Sequence, residues 1–209
     1  MSEILNYLLN NYKPGEPIFI ADIKIKDISG DNLKQQLKRL TDIGELQRFE
    51  KGIYYLPRES RLKKGFRLSG DIVARYKYVS RRGKIMGYYS GYTFANQLGI
   101  SMQVPAKIEI VSNESAPVVR DINLGNQTFT VRKSRIQVDE NNQKVLQLLE
   151  LLKDVEEYSD ATMDQTRERI VKYIKDSKIT RKDIDRYIEE FPVKIYKSIY
   201  EMRLENVLA

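Results

Sequence analysis

The 209-residue chain contains no cysteine, no histidine and no tryptophan. Without cysteine there are no disulfides and no thiolate chemistry, and a reducing compartment fits. Without histidine the commonest general base is missing, and the two absences together remove the usual zinc ligands. No GxxxxGK[ST] phosphate loop occurs. The carboxylate pairs Glu156-Glu157 and Glu189-Glu190 are neighbours in sequence. A helix turns neighbours about 100° apart, so neither pair makes two acids on one face. An enzyme is therefore not expected, and neither is a bound metal or cofactor. No run approaches the ~18 apolar residues that a membrane helix needs. The opening MSEILNYLLNNYKPGEP lacks the basic start and long apolar stretch of a signal peptide. A cytoplasmic protein with no membrane contact is expected.

What is present is enough to fold. Hydrophobic residues make up 41% of the chain, which argues against global disorder. The formal net charge is +7 and is unevenly spread. Residues 1–65 carry 12 Lys/Arg against 9 Asp/Glu, residues 66–135 carry 11 against 4, and residues 136–209 carry 13 against 16. The middle is thus a basic block and the tail is mildly acidic. A basic block suggests a polyanionic partner; pairing with the acidic tail would account for it equally well.

Three regions are expected: 1–65, 66–135 and 136–209. In the first, Ser2 can cap a helix carrying Ile4, Leu5, Leu8 and Leu9, which Pro14-Gly15 ends. IFIADIKIKDI reads either as a strand or as a short helix from Ala21. Ser29-Gly30-Asp31 starts a helix carrying Leu33, Leu37 and Leu40, which stops at Gly44. Glu45–Phe49 and Ile53–Leu56 then flank Lys51-Gly52 as a hairpin, with Ile53 and Tyr55 packed on the helices and Tyr54 more open. In the second region, KIMGYYS, AKIEIVSN and QTFTVRKSRI read as strands, GYTFANQLG as a short helix, and DIVARYKYV as helical. A small mixed α+β domain around an antiparallel sheet follows. The third region reads as helical. Asp139 caps a helix with Val145, Leu148, Leu149, Leu152 and Val155 on one side, Thr180 and Asp183 form a capping box, and Pro192 interrupts before a last helix.

Helices followed by a two-stranded hairpin is the order of a winged helix-turn-helix, whose last helix enters the major groove while the wing touches the backbone. At about 100° per residue, with Leu33 at zero, Leu37 and Leu40 fall within roughly 40° of it. Lys34 and Lys38 fall at roughly 100° and 140°, and Gln35 and Arg39 at roughly 200° and 240°. The outward arc therefore joins cations, which neutralise phosphates, to an amide that can pair with adenine. Arg48 and Lys51 lie near the hairpin tip. Asp31 and Asp42 share the helix arc and weaken its field, and an ordinary solvated face is the bland alternative.

LKQQLKRLTDIGELQRFEKGIYYLP resembles the N-terminal winged helix of AbiEi-type antitoxins. GKIMGYYSGYTFANQLGISMQVPAKIEIVSN resembles the segment that follows it in that group, with a strand, a Tyr-Ser turn, a short helix ending in Leu-Gly, and Gln-x-Pro before the next strand. The likeness covers roughly residues 1–135. It implies a DNA-binding repressor of its own operon that serves as the antitoxin of a toxin–antitoxin or abortive-infection module, beside a nucleotidyltransferase-like toxin. Carried residue by residue, it implies Lys34, Gln35, Lys38, Arg39, Arg48 and Lys51 as contacts to double-stranded DNA, and no catalytic residue. Oligomeric state stays open, with a dimer expected on a palindromic operator.

Two further clusters, Arg81, Arg82 and Lys84 in SRRGK and Arg132, Lys133 and Arg135 in VRKSR, are secondary candidates for polyanion contact. Tyr88, Tyr89, Tyr92 and Phe94 could stack single-stranded bases, but a tyrosine-rich core is favoured. The competing functions are a protein-interaction module whose helical tail binds a partner through stripes such as Leu148/Leu152, and an RNA-binding protein acting through the basic middle.

Overall fold

A computed structural model describes residues 2–26, 28–59 and 66–208. The protein is mixed α+β and divides into two compact units, Met1–Val73 and Ala74–Ala209. The boundary expected near residue 65 lies outside the described residues. The one expected near 136 is corrected below, because a single core spans it.

In the first unit α1 (Glu3–Asn11) is capped by Ser2, whose Oγ accepts from the Leu5 amide at 3.2 Å. Ile4, Leu5 and Leu8 are buried as expected, whereas Leu9 is 50% exposed and off the core face. The ambiguous IFIADI stretch resolves into a two-residue strand, β1 (Ile18–Phe19), and one 3-10 turn over Ile20–Asp22. The second helix is thus reduced to a single turn. Helix α2 (Gly30–Asp42) starts at Ser29, whose Oγ accepts from the Asn32 amide at 3.3 Å, and stops before Gly44 at φ 82°. Strands β2 (Gln47–Glu50) and β3 (Ile53–Tyr55) form the hairpin, and β1 completes an antiparallel sheet of order β1-β3-β2. Leu33, Leu37 and Leu40 of α2 join α1, Ile18, Leu46 and Tyr54 in one core.

At the junction, α3 (Gly70–Ala74) runs into a π-helical turn over Arg75–Val79. The second unit then continues with a small hairpin, β4 (Ser80–Arg81) and β5 (Lys84–Ile85), followed by β6 (Gly87–Tyr89) and α4 (Gly91–Gln97). Strands β7 (Lys107–Ser112), β8 (Arg120–Leu124) and β9 (Gln127–Lys133) complete a four-stranded sheet of order β6-β7-β9-β8. The expected antiparallel pairing holds for β6–β7 and β8–β9, but β7 and β9 run parallel. The cause is β8. It forms its own hairpin with β9 across Gly125 at φ 62°, so β9 returns in the direction of β7. Sequence reading had no strand there, although Ile122 and Leu124 alternate with polar residues just before Leu-Gly-Asn.

The tail packs onto that sheet. Helix α5 (Gln143–Lys153) is buried all round, from Val145 to Leu152. Asp139 caps the turn leading into it, accepting from the amides of Asn141 and Asn142, and does not cap the helix itself. Around it lie α6 (Val155–Tyr158), α7 (Met163–Ser177), α8 (Arg181–Tyr187) and α9 (Lys194–Glu201). The Thr180–Asp183 capping box is present, and Thr162 with Gln165 makes a second one on α7 that sequence reading passed over. Tyr88, Phe94 and Val111 share one hydrophobic core with Leu148, Leu149, Ile170, Ile195 and Leu204. Residues 66–135 and 136–209 are therefore not separate domains. Leu148 and Leu152 are core side chains, which removes them as a docking stripe. No helix among the described residues is long and apolar enough to cross a membrane.

Candidate nucleic-acid interface

The leucine stripe of α2 fixes which side chains leave the molecule. With Leu33, Leu37 and Leu40 buried, Lys34, Gln35, Lys38 and Arg39 are all exposed. The hairpin brings its cations to the same place by a device that the sequence does not advertise. Glu50 pairs with Ile53 across the Lys51-Gly52 turn, and Gly52 takes φ 80°. The next pair is Arg48 with Tyr54, so Phe49 is an extra residue bulged out of the ladder. Residues paired across two strands share a face, and a one-residue slip moves a side chain to the other face. Without the bulge Arg48 would oppose Tyr55. With it, Arg48 stands on the face of Tyr54.

Tyr54 is the side chain that packs with the helices, at 8% exposure, and this corrects the expectation that it would be the open one. Tyr55 lies on the opposite face, edge-on to Phe66 with ring centroids 5.9 Å apart. All three residues of the strand are buried, so both of its faces are covered.

The outcome is an open groove of about 690 Å³, lined by Lys34, Lys38, Thr41 and Asp42 of α2, by Arg48, Lys51, Gly52 and Tyr54 of the hairpin, and by Ile20. Four of the six candidate cation and amide positions thus border one depression. Gln35 and Arg39 do not line it. They are exposed further round the same helix. Lys34 is held at 2.9 Å from Asp31, and its ammonium keeps that carboxyl below the usual range. The Arg48 Nε donates to the Glu50 carbonyl at 3.2 Å, which leaves its other guanidinium nitrogens available. Lys38, Arg39 and Lys51 have no side-chain partner among the described residues. Of the acids among the described residues, only Asp42 lines the groove, so the local balance is cationic. Thr41 sits one turn beyond Lys38, a helical spacing visible in the sequence but not used. That Arg48 shares the face of Tyr54 depends on the bulge, which no local sequence signal marks.

The secondary clusters differ. Arg81 pairs with Lys84 across β4 and β5, with Arg82 and Gly83 as the left-handed turn between them at φ 50° and 81°. The Arg82 Nε donates to the Tyr76 hydroxyl at 3.3 Å. Arg132 lies 2.6 Å from Glu150, which Lys153 also approaches to 2.6 Å. Burial alone would raise the Glu150 carboxyl, but these two cations outweigh it and hold it below the usual range. Lys133 donates to the Asn113 carbonyl and Arg135 to the Glu190 carbonyl. Arg132 is consequently withdrawn as a polyanion contact, and pairing with the tail accounts for it. Tyr88 and Phe94 are core side chains, as favoured.

A profile described as a family of unknown function, DUF6088, matches residues 4–182, and the chain belongs to that family. No curated protein matches the chain.

Proposed function

We propose that this DUF6088 protein is a DNA-binding transcriptional autorepressor whose first unit works as a winged helix-turn-helix. The observation that carries the reading is the convergence of Lys34, Lys38, Arg48 and Lys51 on one open groove. A duplex offers one negative charge per roughly 1.7 Å of axis, and a row of exposed cations between a helix and a β-ribbon suits a phosphate strand. In this reading α2 lies in the major groove. Gln35 and Arg39 reach base edges, while Lys34, Lys38, Arg48 and Lys51 hold the backbone. The resemblance to AbiEi-type antitoxins extends the proposal to a cytoplasmic antitoxin encoded beside a nucleotidyltransferase-like toxin, acting on its own operator and binding a palindrome as a dimer.

Fluorescence anisotropy with duplex from upstream of the gene, against scrambled duplex of equal length, tests it across salt concentration. Tighter binding to the upstream duplex and a steep inverse dependence on salt are expected. Equal affinity for both duplexes at moderate salt would remove the repressor reading. The RNA-binding alternative loses one of its candidate contacts, since Arg132 is already paired with Glu150.

A further inference from the structure

At the start of β7 the second unit has an open pocket of about 340 Å³ that the DNA reading does not use. Glu109 and Thr130, paired across β7 and β9, stand among its lining, with Tyr92, Val104 and Pro105 as apolar and aromatic walls. Glu109 is half-buried, and one of its oxygens accepts from the Tyr92 amide at 3.2 Å. It has no ion-pair partner among the described residues. The cations around it are taken: Lys107 pairs with Asp121 at 2.5 Å, and Arg132 and Lys153 pair with Glu150. Burial pushes the Glu109 carboxyl above the usual range, and the Tyr92 amide hydrogen bond, with the weaker pull of Arg132 and Lys153, only partly offsets it.

The walls are held in advance. Tyr92 packs edge-on to Tyr158 with centroids 4.8 Å apart, and its hydroxyl donates to the Glu157 carbonyl at 3.2 Å. The loop from Ser101 to Val104 is tied down at both sides. Asp160 accepts from the Ser101 hydroxyl at 2.9 Å and from the Met102 amide at 3.0 Å. Asn96 donates to the carbonyls of Ser101 and Gln103. Yet this pinned loop leaves Met102 and Val104 each 86% exposed. A backbone pinned by hydrogen bonds that presents large apolar side chains to water has already met part of the ordering cost of binding.

We propose that this pocket docks an arginine-bearing segment of a partner protein, with the guanidinium on Glu109 and Tyr92 and the flanking apolar residues on Met102 and Val104. The carboxylate excludes phosphate ligands, so the site is separate from the groove and independent of the DNA reading. Arginine fits better than lysine. Its planar fork makes two parallel hydrogen bonds to a carboxylate and stacks on an aromatic ring, and its stem covers apolar surface. Lysine offers a compact, strongly hydrated charge with no plane.

Calorimetric titration of the full chain tests this with three capped probes: acetyl-Leu-Arg-Leu-amide, the same peptide with citrulline for arginine, and acetyl-arginine-amide. The arginine peptide should bind saturably, and the neutral citrulline peptide at least tenfold more weakly. Glu109→Gln should weaken the arginine peptide at least tenfold while keeping an acceptor for the Tyr92 amide. Ala106→Lys, at an exposed position in the lining, should do the same by placing a cation in the pocket while leaving Glu109 in place. It separates loss of the site from loss of the fold. The double change Met102→Ser with Val104→Ser should reduce the peptide to the affinity of acetyl-arginine-amide. The proposal is overturned if the citrulline peptide binds equally well, if Ala106→Lys binds like the unaltered chain, or if no probe binds at millimolar concentration. It is also overturned, in favour of a site for free guanidinium compounds, if acetyl-arginine-amide matches the peptide and the serine pair changes nothing.

Discussion

The two units carry their positive charge in opposite ways. In the first, a region of modest net charge leaves Lys38, Arg39 and Lys51 without partners and gathers four cations on one groove. In the second, the most basic stretch of the chain has much of its charge already committed: Arg132 to Glu150, Lys133 and Arg135 to backbone carbonyls. Net charge along the sequence therefore does not locate the cations that folding leaves unpartnered among the described residues. What makes a surface for a polyanion is charge left over after folding. The acid that pairs with Arg132 comes from α5, a helix that the sequence places in a different segment.

The contrast is broken most forcefully at Glu150. It is 6% exposed between Arg132 and Lys153. Glu150→Ala leaves two cations facing each other with Arg132 largely buried, and removing one partner of such a pair costs about 3–5 kcal/mol. Denaturant unfolding should show that loss in the second unit. Hydrogen exchange should leave amides of the first unit protected, because its core is its own. Acid should act the same way. The native Glu150 carboxyl is held below its unfolded value of about 4.3, so its stabilisation is full above that pH and fades as pH falls through the lowered native value. Glu150→Ala should flatten that acid limb.

Next comes the groove. Lys38→Ala with Lys51→Ala removes two exposed, unpartnered cations from opposite walls and leaves the core untouched. Affinity for the upstream duplex should fall by about ten- to a hundredfold at low salt. The slope of log affinity against log salt should become shallower by about two, one for each phosphate contact removed. Arg39→Ala should instead lessen the gap between upstream and scrambled duplex. Equal slopes for the double variant and the unaltered chain would mean that the groove does not face phosphate.

A smaller effect belongs to Gly52, which sets the hairpin tip at φ 80°. Alanine there pays about 1–2 kcal/mol for the left-handed backbone, and its Cβ would meet the Ile20 Cγ2 at 3.4 Å. A fall of several degrees in the melting of the first unit is expected, with loss of the pairing that turns Arg48 toward Tyr54.

Much of this was legible in the sequence, and the gaps have physical causes. Ser2, Ser29 and Thr180 cap helices because a hydroxyl three residues ahead of an unpaired amide is a local arrangement, readable without the fold. The outward arc of α2 follows from leucine spacing alone. Alternation along β3 fixes only that Ile53 and Tyr55 share one side and Tyr54 takes the other; which side meets the helices is settled by tertiary packing, and the bulge at Phe49 then decides the face of Arg48. The parallel β7–β9 pair was missed for a related reason, since strand direction depends on which strands become neighbours. The three-region division failed at α5. Apolar residues on one side were read as a face, while burial on every side marks it as the centre of a core shared with the sheet.

The smallest expected effect sharpens the comparison from the other side. Arg81→Ala with Lys84→Ala removes two charges from the β4–β5 tip, the same number as in the groove double variant. If net charge governed binding, the two doubles would weaken DNA alike, since each lowers the total from +7 by two. If placement governs it, the β4–β5 double should stay within about twofold at moderate salt, because it leaves every groove cation in place. Its salt slope should match that of the unaltered chain, because no condensed counterion is released by a cation that meets no phosphate. A slope reduced as far as in the groove variant would extend the DNA footprint onto the second unit and undo the division between the two.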